Sequence, residues 1–309
     1  MTLFALLLAL LIDQAWRPAA PLSASAPLAG WAETVRRQLD AGHSAQGWMA
    51  WAAAAVAPAL LVALVHALLW QLHGLLALAW SVVVLVSTLG FRHFSHPFTE
   101  IRFALESGDE ARARTLYAQW RGAPAVDWPR EELLRRVIAH GVLDAHRHVL
   151  GVAVAYVVLA ALGLGPAGAV LYRQAERLAR AWADEASSSA VEPVSPAVAS
   201  AAQRGWCWVD ALPARATALA FAVVGHFEDV LERWRAHATP WNTPSDELLL
   251  AATEGAIHVR LLPRAPAEPD AQTWPAPQLT HLAALVGLVW RSVVLWMLLL
   301  ALTVLVRLF

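Results

Sequence analysis

Arginine and histidine, rather than lysine or cysteine, are the residues that could do chemistry in this sequence. All 23 basic residues are arginine. Schiff-base chemistry and a phosphate-cradling P-loop lysine are therefore ruled out. The single cysteine, Cys207, excludes an intrachain disulfide and a four-cysteine metal site. Tyr172 is followed by Arg173, Arg177 and Arg180 at helical spacing, with Glu176 among them. Such a stripe can hold an anionic lipid or an anionic ligand, or it can simply face solvent and headgroups. Arg215 opens an apolar helix just after Pro213. An unpaired guanidinium at a bilayer centre costs roughly 2.5–3.5 kcal/mol, so a partner is expected, and Asp210 is within reach. Tyr172, Arg173, Asp210 and Arg215 are the candidate substrate-binding residues. The two guanidinium groups are expected to share one interior polar pocket, with Asp210 or Glu228 neutralising at least one of them. No catalytic residue stands out.

The histidines offer less. His93 and His96 have the i, i+3 spacing that puts two ligands on one helix face, but Pro97 follows and no HExxH pattern occurs. His146 and His148, at i and i+2, would point apart on a helix. These residues, with His140, read as membrane-interface histidines, and no metal site is expected. Neither G-x-S-x-G nor G-x-G-x-x-G is present. The Gly163–Gly168 stretch imitates the second, but Pro166 has no amide to offer a phosphate, and glycines there suit close helix packing.

These residues sit on elements that belong in a membrane. Hydrophobic residues make up 58% of the chain and charged residues 15%, with mean hydropathy +0.49. Soluble chains carry about 45–50% and about 25%, so this composition excludes an ordinary soluble protein and global disorder. A net charge of -1 argues against nucleic acid as a partner. Ala41–Phe91 contains no Asp, Glu, Lys or Arg. At about 20 residues per crossing it is long enough for two spans, near Trp48–Trp70 and Leu72–Gly90, joined at Gln71–Gly74. Trp48, Trp51, Trp70 and Trp80 fit interfacial anchors. Further spans are expected at Val149–Leu164 and from about Leu285 to Val306. Met1–Trp16 reads as a retained first helix, although Ala24–Ser25–Ala26 has the form of a cleavage site. Ala216–Gly225 reads as a re-entrant or interfacial helix. The prediction is an all-α polytopic membrane protein with four to six membrane-embedded helices.

Four regions follow: 1–91, a helix, a loop and the helical hairpin; 92–148, a cytoplasmic helical segment; 149–262, membrane and interfacial helices with the linker 187–200; and 263–309, a proline-rich connection and the last span. The nine arginines of Arg92–Arg147 place that segment in the cytoplasm. Arg173, Arg177 and Arg180 obey the same rule only if the chain doubles back between Val149 and Tyr172. Gly108 and Gly122 should stop helices, Asp109 should cap one, and Asp127, Pro129, Glu131 and Glu132 should start another. Tyr117 and Trp120 are read as exposed aromatics available to a partner.

Three segments carry a family resemblance. Gly165–Arg173 resembles the GPxGAxxYR segment of the CobD/CbiB family. Asp210–Thr217 resembles its PAR-L-T segment, and Ala251–Leu261 its AxAxGALxVxL segment, in the family's order. The resemblance implies a multi-pass protein of the bacterial inner membrane. It further implies adenosylcobinamide-phosphate synthase activity, which joins an aminopropanol phosphate to a corrin propionate in cobalamin synthesis. A corrinoid partner, ATP and a divalent cation are implied if that activity is retained, and Tyr172, Arg173 and Arg215 would then line the site. The chain departs from the family at its carboxylate motifs. Of GDP…HPV only the preceding Asp13 remains, and the ENxxDG helix becomes His146–Gly151 with only Gly151 kept. TLDxMVG is replaced by Ala175–Trp182, and SPNxG is reduced to Asn242, Pro244 and Ser245 out of order. Val224–Gly225–His226, with Glu228 and Trp234, and the opening Met1–Phe4 resemble the related AmpE branch. That branch implies a non-catalytic signalling role linked to β-lactamase regulation and a protein partner.

Overall fold

A computed structural model describes residues 1–15, 25–187, 194–237, 240–241, 243–263 and 274–306. Trp16, Arg17, Ala24, residues 188–193 of the linker, Asn242, the heart of the proline-rich connection and Arg307 lie outside the described residues; the rest of the linker is largely helical, Ser187 ending one helix and Pro196 opening the next. Among the described residues the chain is helical, without a strand. In order it forms α1 (Thr2–Ala15), α2 (Ser25–Leu39), α3 (Ser44–Trp51), α4 (Ala57–Leu72), α5 (Gly74–Thr88), α6 (Phe91–Glu106) and α7 (Glu110–Arg121). Then come α8 (Arg130–Ala145), α9 (Gly151–Ala161), α10 (Ala167–Ser187), α11 (Pro196–Val224), α12 (Phe227–Ala236), α13 (Asp246–Ile257) and α14 (Leu279–Val306). Ala52–Val56 and His146–Leu150 are π-helical turns.

Among the described residues, five stretches are long and apolar enough to cross a bilayer: Ser44–Leu72, Gly74–Glu106, Arg130–Ala161, Pro196–Val224 and Leu279–Val306. Large apolar side chains such as Leu61, Leu64, Leu75, Leu298 and Leu302 are exposed along them, which suits lipid as solvent. The protein is an all-α polytopic membrane protein. Two expectations change. The 29-residue α11 is a full-length candidate span rather than a short interfacial piece at Ala216–Gly225. The span expected from Val149 is continuous with α8, so Arg130 begins a 32-residue helical stretch.

The chain divides into two units. The first comprises Met1–Gly90, Val149–Pro213 and Pro240–Pro244. Pro58, with no amide hydrogen, sits near the start of α4, directly after the π turn. The freed carbonyls find side chains: Trp31 Nε1 donates to Ala53 O at 3.1 Å and Gln174 Nε2 to Ala54 O at 3.5 Å. Trp48 and Trp70 are exposed. Trp51 and Trp80 are half-buried: Trp51 packs on Gly205, and Trp80 Nε1 donates to Val62 O at 3.4 Å. The α9–α10 connection reverses the chain. A Cβ on Gly168 would lie 2.0 Å from Ala155 O, and one on Gly151 would lie 2.1 Å from the Tyr172 hydroxyl. Those two pairs fix an antiparallel register, so Tyr172 and the arginines after it return to the end where α9 begins. Within this unit the chain therefore doubles back between Val149 and Tyr172.

The second unit comprises Phe91–His148, Ala214–Thr239 and Ser245–Phe309. Its core joins α6, α8 and α14 through buried Phe98, Ile101, Ile138, Val142 and Leu285. Asp109 caps α7 by accepting from Arg112 N at 3.0 Å, and Gly122 ends it at φ 68°. At α8 the N-cap is Pro129; Asp127 instead pairs with Arg114 at 3.2 Å. Tyr117 is buried, with its ring edge-on to Trp128 and His140, and half-buried Trp120 packs on Phe98 and His140. These aromatics are core, which corrects their reading as an exposed docking surface.

Candidate functional site

The first unit brings together three of the four candidate residues. Tyr172 and Asp210 are buried, and the Tyr172 hydroxyl donates to Asp210 Oδ1 at 2.8 Å. Trp206, one turn before Asp210 on α11, packs edge-to-face on the Tyr172 ring at 5.0 Å. Gly151 makes room for the phenol, because any side chain there would occupy the hydroxyl's position. Gly165, at φ 56°, turns the chain into α10, where a Cβ would strike His66 at 2.3 Å.

Arg173 is buried and bonded to Glu176 at 3.4 Å. Glu176 is buried as well, and it also accepts from exposed Arg180. One carboxylate therefore gathers two of the three arginines in the stripe, as i, i+3 and i, i+4 neighbours can. Arg177 is different. It makes no hydrogen bond or ion pair among the described residues. Burial, and then the neighbouring Arg173 charge, push its pKa down to about 10. It lines a cavity of about 120 Å³ between α2 and α10, beside Glu33, Gln174, Leu178, Trp182 and Glu185. Glu33 is occupied by Arg36 at 2.6 Å and Arg37 at 2.6 Å, and these guanidinium groups hold its pKa down at about 2. The cavity thus presents one uncommitted cation.

Arg215 belongs to the second unit, where it is half-buried on α11. Glu228 is exposed on α12. The second unit holds its own polar contacts at the motif positions. Buried His146 in the π turn lies 3.0 Å from the Thr217 hydroxyl, two residues past Arg215. Arg147 grips both Asp246 oxygens at 2.8 and 2.7 Å. His148 meets Asp144 at 3.1 Å and stacks on His93. Glu254 is buried, accepts from the Leu261 and Leu262 amides at 2.6 Å each, and pairs with Arg233. Sequence reasoning missed Glu254; the signal was a carboxylate inside the apolar Leu248–Ile257 run, which must be paired to be buried.

Two known proteins are similar to this chain over most of its length. The chain is 29% identical over 274 residues to "Cobalamin biosynthesis protein CobD" of Stutzerimonas stutzeri, covering 84% of each chain. It is 29% identical over 244 residues to the protein of the same name from Chromobacterium violaceum, covering 76% of this chain and 74% of the relative. At this level of identity the chain is similar to CobD proteins over most of its length. No family model and no solved structure matches it. In this chain the segment Gly165–Arg173 has a physical rationale: its glycines seat α10 on α9, and its tyrosine reaches Asp210 on α11. Gly151 serves that same tyrosine. The two relatives give no support to the AmpE resemblance.

Proposed function

We propose that this chain is an inner-membrane protein of cobalamin biosynthesis that binds a corrinoid acid, in the manner of an adenosylcobinamide-phosphate synthase. The similarity to CobD proteins supports the pathway, and Arg177 is the observation that carries the binding role. A half-buried guanidinium with no partner is costly unless an anion completes it. Arginine suits a propionate or phosphate because its planar fork binds two oxygens at once. In this reading Arg177 takes the anionic group, while Glu176 holds Arg173 in place one turn away. Tyr172 and Asp210, buried and hydrogen-bonded, fix α10 against α11. Asp210 and Glu176 are committed to Tyr172 and to Arg173 and Arg180, so these carboxylates do not fit a cage for a divalent cation or for the metal that accompanies ATP. Complementation of a strain lacking the aminopropanol-attachment step tests the reading. Growth without added cobalamin is expected from the native chain and is lost with Arg177→Ala. Failure by a well-expressed native chain overturns it.

A second reading has one observation in its favour. Of the ENxxDG positions, the glycine that serves packing is kept, while the carboxylates are gone. That pattern suits a non-catalytic membrane modulator of the AmpE kind. Altered β-lactamase induction on gene deletion, with corrinoid synthesis unchanged, supports this reading over the first.

A further inference from the structure

We infer that His226, Asp229 and His258 form a binding site for a divalent transition ion of the zinc class, independent of the corrinoid reading. All three lie in the second unit, in the segment between the spans of α11 and α14. His226 is the residue at the N-cap of α12, and Asp229 lies in that helix's first turn. His258 is the C-cap of α13, in the left-handed conformation at φ 53°, the one such non-glycine residue among those described. One potential ligand atom from each residue lies within 4.8 Å of the others. His258 Nε2 is 2.7 Å from Asp229 Oδ2, and the two imidazoles stack with centroids 3.9 Å apart.

The local sequence explains why the three converge. Gly225 precedes His226, and a Cβ there would lie 2.8 Å from the Ala256 Cβ. Gly255 precedes His258 by three residues, and a Cβ there would lie 2.6 Å from Val230 backbone atoms. These two close approaches bring the end of α13 onto the start of α12. Trp274 then packs edge-on against His258, with centroids 4.5 Å apart, and steadies that ring. The ligands remain reachable: His226 is exposed, and Asp229 and His258 are half-buried.

The donor set selects the ion. Two imidazoles and one carboxylate suit zinc and its first-row neighbours, whereas magnesium and calcium require mostly oxygen. Zinc bonds of about 2.0–2.1 Å set donor separations of about 3.4 Å in a tetrahedron. The Asp229–His258 pair is already inside that distance, and rotation of exposed His226 closes the set. Three protein ligands leave a fourth position for water or an exogenous group.

The full-length chain, purified in detergent and stripped with EDTA, is the material for the test. Equilibrium dialysis against zinc should give one equivalent per chain, and cobalt(II) should give the visible absorption of a tetrahedral site. His226→Ala, Asp229→Asn and His258→Asn should each weaken binding at least about tenfold. Asparagine tolerates the left-handed backbone at 258, so a loss there is not a folding defect. His96→Ala, at an exposed histidine on α6, should leave binding unchanged. Absence of a stoichiometric ion overturns the inference, as does binding that survives the three substitutions in chains eluting from gel filtration as the native protein does.

Discussion

The Tyr172–Asp210 contact and the His226–Asp229–His258 cluster are built by one device and end in opposite states. In each, glycines let two helices approach until polar side chains meet. Gly151 and Gly168 seat α10 on α9 in the first unit, and Gly225 and Gly255 seat α13 on α12 in the second. The first cluster closes over its polar atoms, so the phenol and the carboxylate become part of the packing. The second leaves its donors at the surface. Burial turns polar chemistry into architecture, because an unmade hydrogen bond inside costs about 1–3 kcal/mol. Exposure leaves the same chemistry available to a ligand. The two regions should therefore respond to substitution in opposite ways.

The largest effect is expected at Gly168. A Cβ placed 2.0 Å from a backbone oxygen cannot be relieved by rotating a side chain. Gly168→Ala should cost about 1–3 kcal/mol as α9 and α10 are forced apart. Thermal unfolding in detergent measures it, and an unchanged midpoint would mean the two helices are not packed this way. Gly151→Ala should cost a similar amount by a different route, since the new methyl group displaces the Tyr172 hydroxyl from Asp210.

Tyr172→Phe is the next step down. It keeps the ring against Trp206 and removes only the hydroxyl, at an expected cost of about 1–2 kcal/mol. A double-mutant cycle with Asp210→Asn should show coupling between the two positions; additivity would indicate that the bond is unimportant.

The membrane fold was legible because it is a local property. The charge-free Ala41–Phe91 run, the Asp109 cap and the Gly122 stop each depend on neighbouring residues, and each appears in the structure. The site was legible only in part, because its contacts join distant positions. Tyr172 and Asp210 lie 38 residues apart. His226 and His258 are separated by two helices, α12 and α13, so no ligand spacing betrays them. Tyr117 misled for the same reason: a helix carrying Glu110, Arg112, Arg114 and Arg121 reads as solvated, while the tertiary partners Trp128 and His140 cover one face of it. Resemblance found Gly165–Arg173, and the structure supplied the physical reason for its glycines.

The metal cluster should be nearly silent in stability. His226→Ala removes an exposed ring, so in the absence of metal the unfolding free energy should move by no more than about 0.5 kcal/mol. With zinc present, the native chain alone should gain stability as the ion rises above its dissociation constant. A large loss from His226→Ala without metal would show that the ring is structural and would weaken the contrast with Tyr172.

A small, pH-dependent effect lies at the rim of the first region, where Glu33 lines the cavity that holds Arg177. Its partners Arg36 and Arg37 hold the Glu33 pKa at about 2, below the ordinary value of 4.5. A carboxylate depressed in the folded state binds fewer protons there than when unfolded. Its contribution is therefore complete above about pH 4.5 and is lost as the pH falls toward about 2. The Glu33 side chain is one-third exposed, so solvent screening should keep the contribution below about 1 kcal/mol. Glu33→Gln should remove this part of the acid limb and leave the neutral range almost unchanged. Unfolding midpoints of the two proteins compared between pH 7 and pH 3 measure the difference. The gap between them should shrink as the pH falls, because protonation makes the native side chain resemble its substitute. A gap that widens in acid would mean that Glu33 is not held ionised by the two arginines, and the cavity would then have a different charge from the one assigned to it.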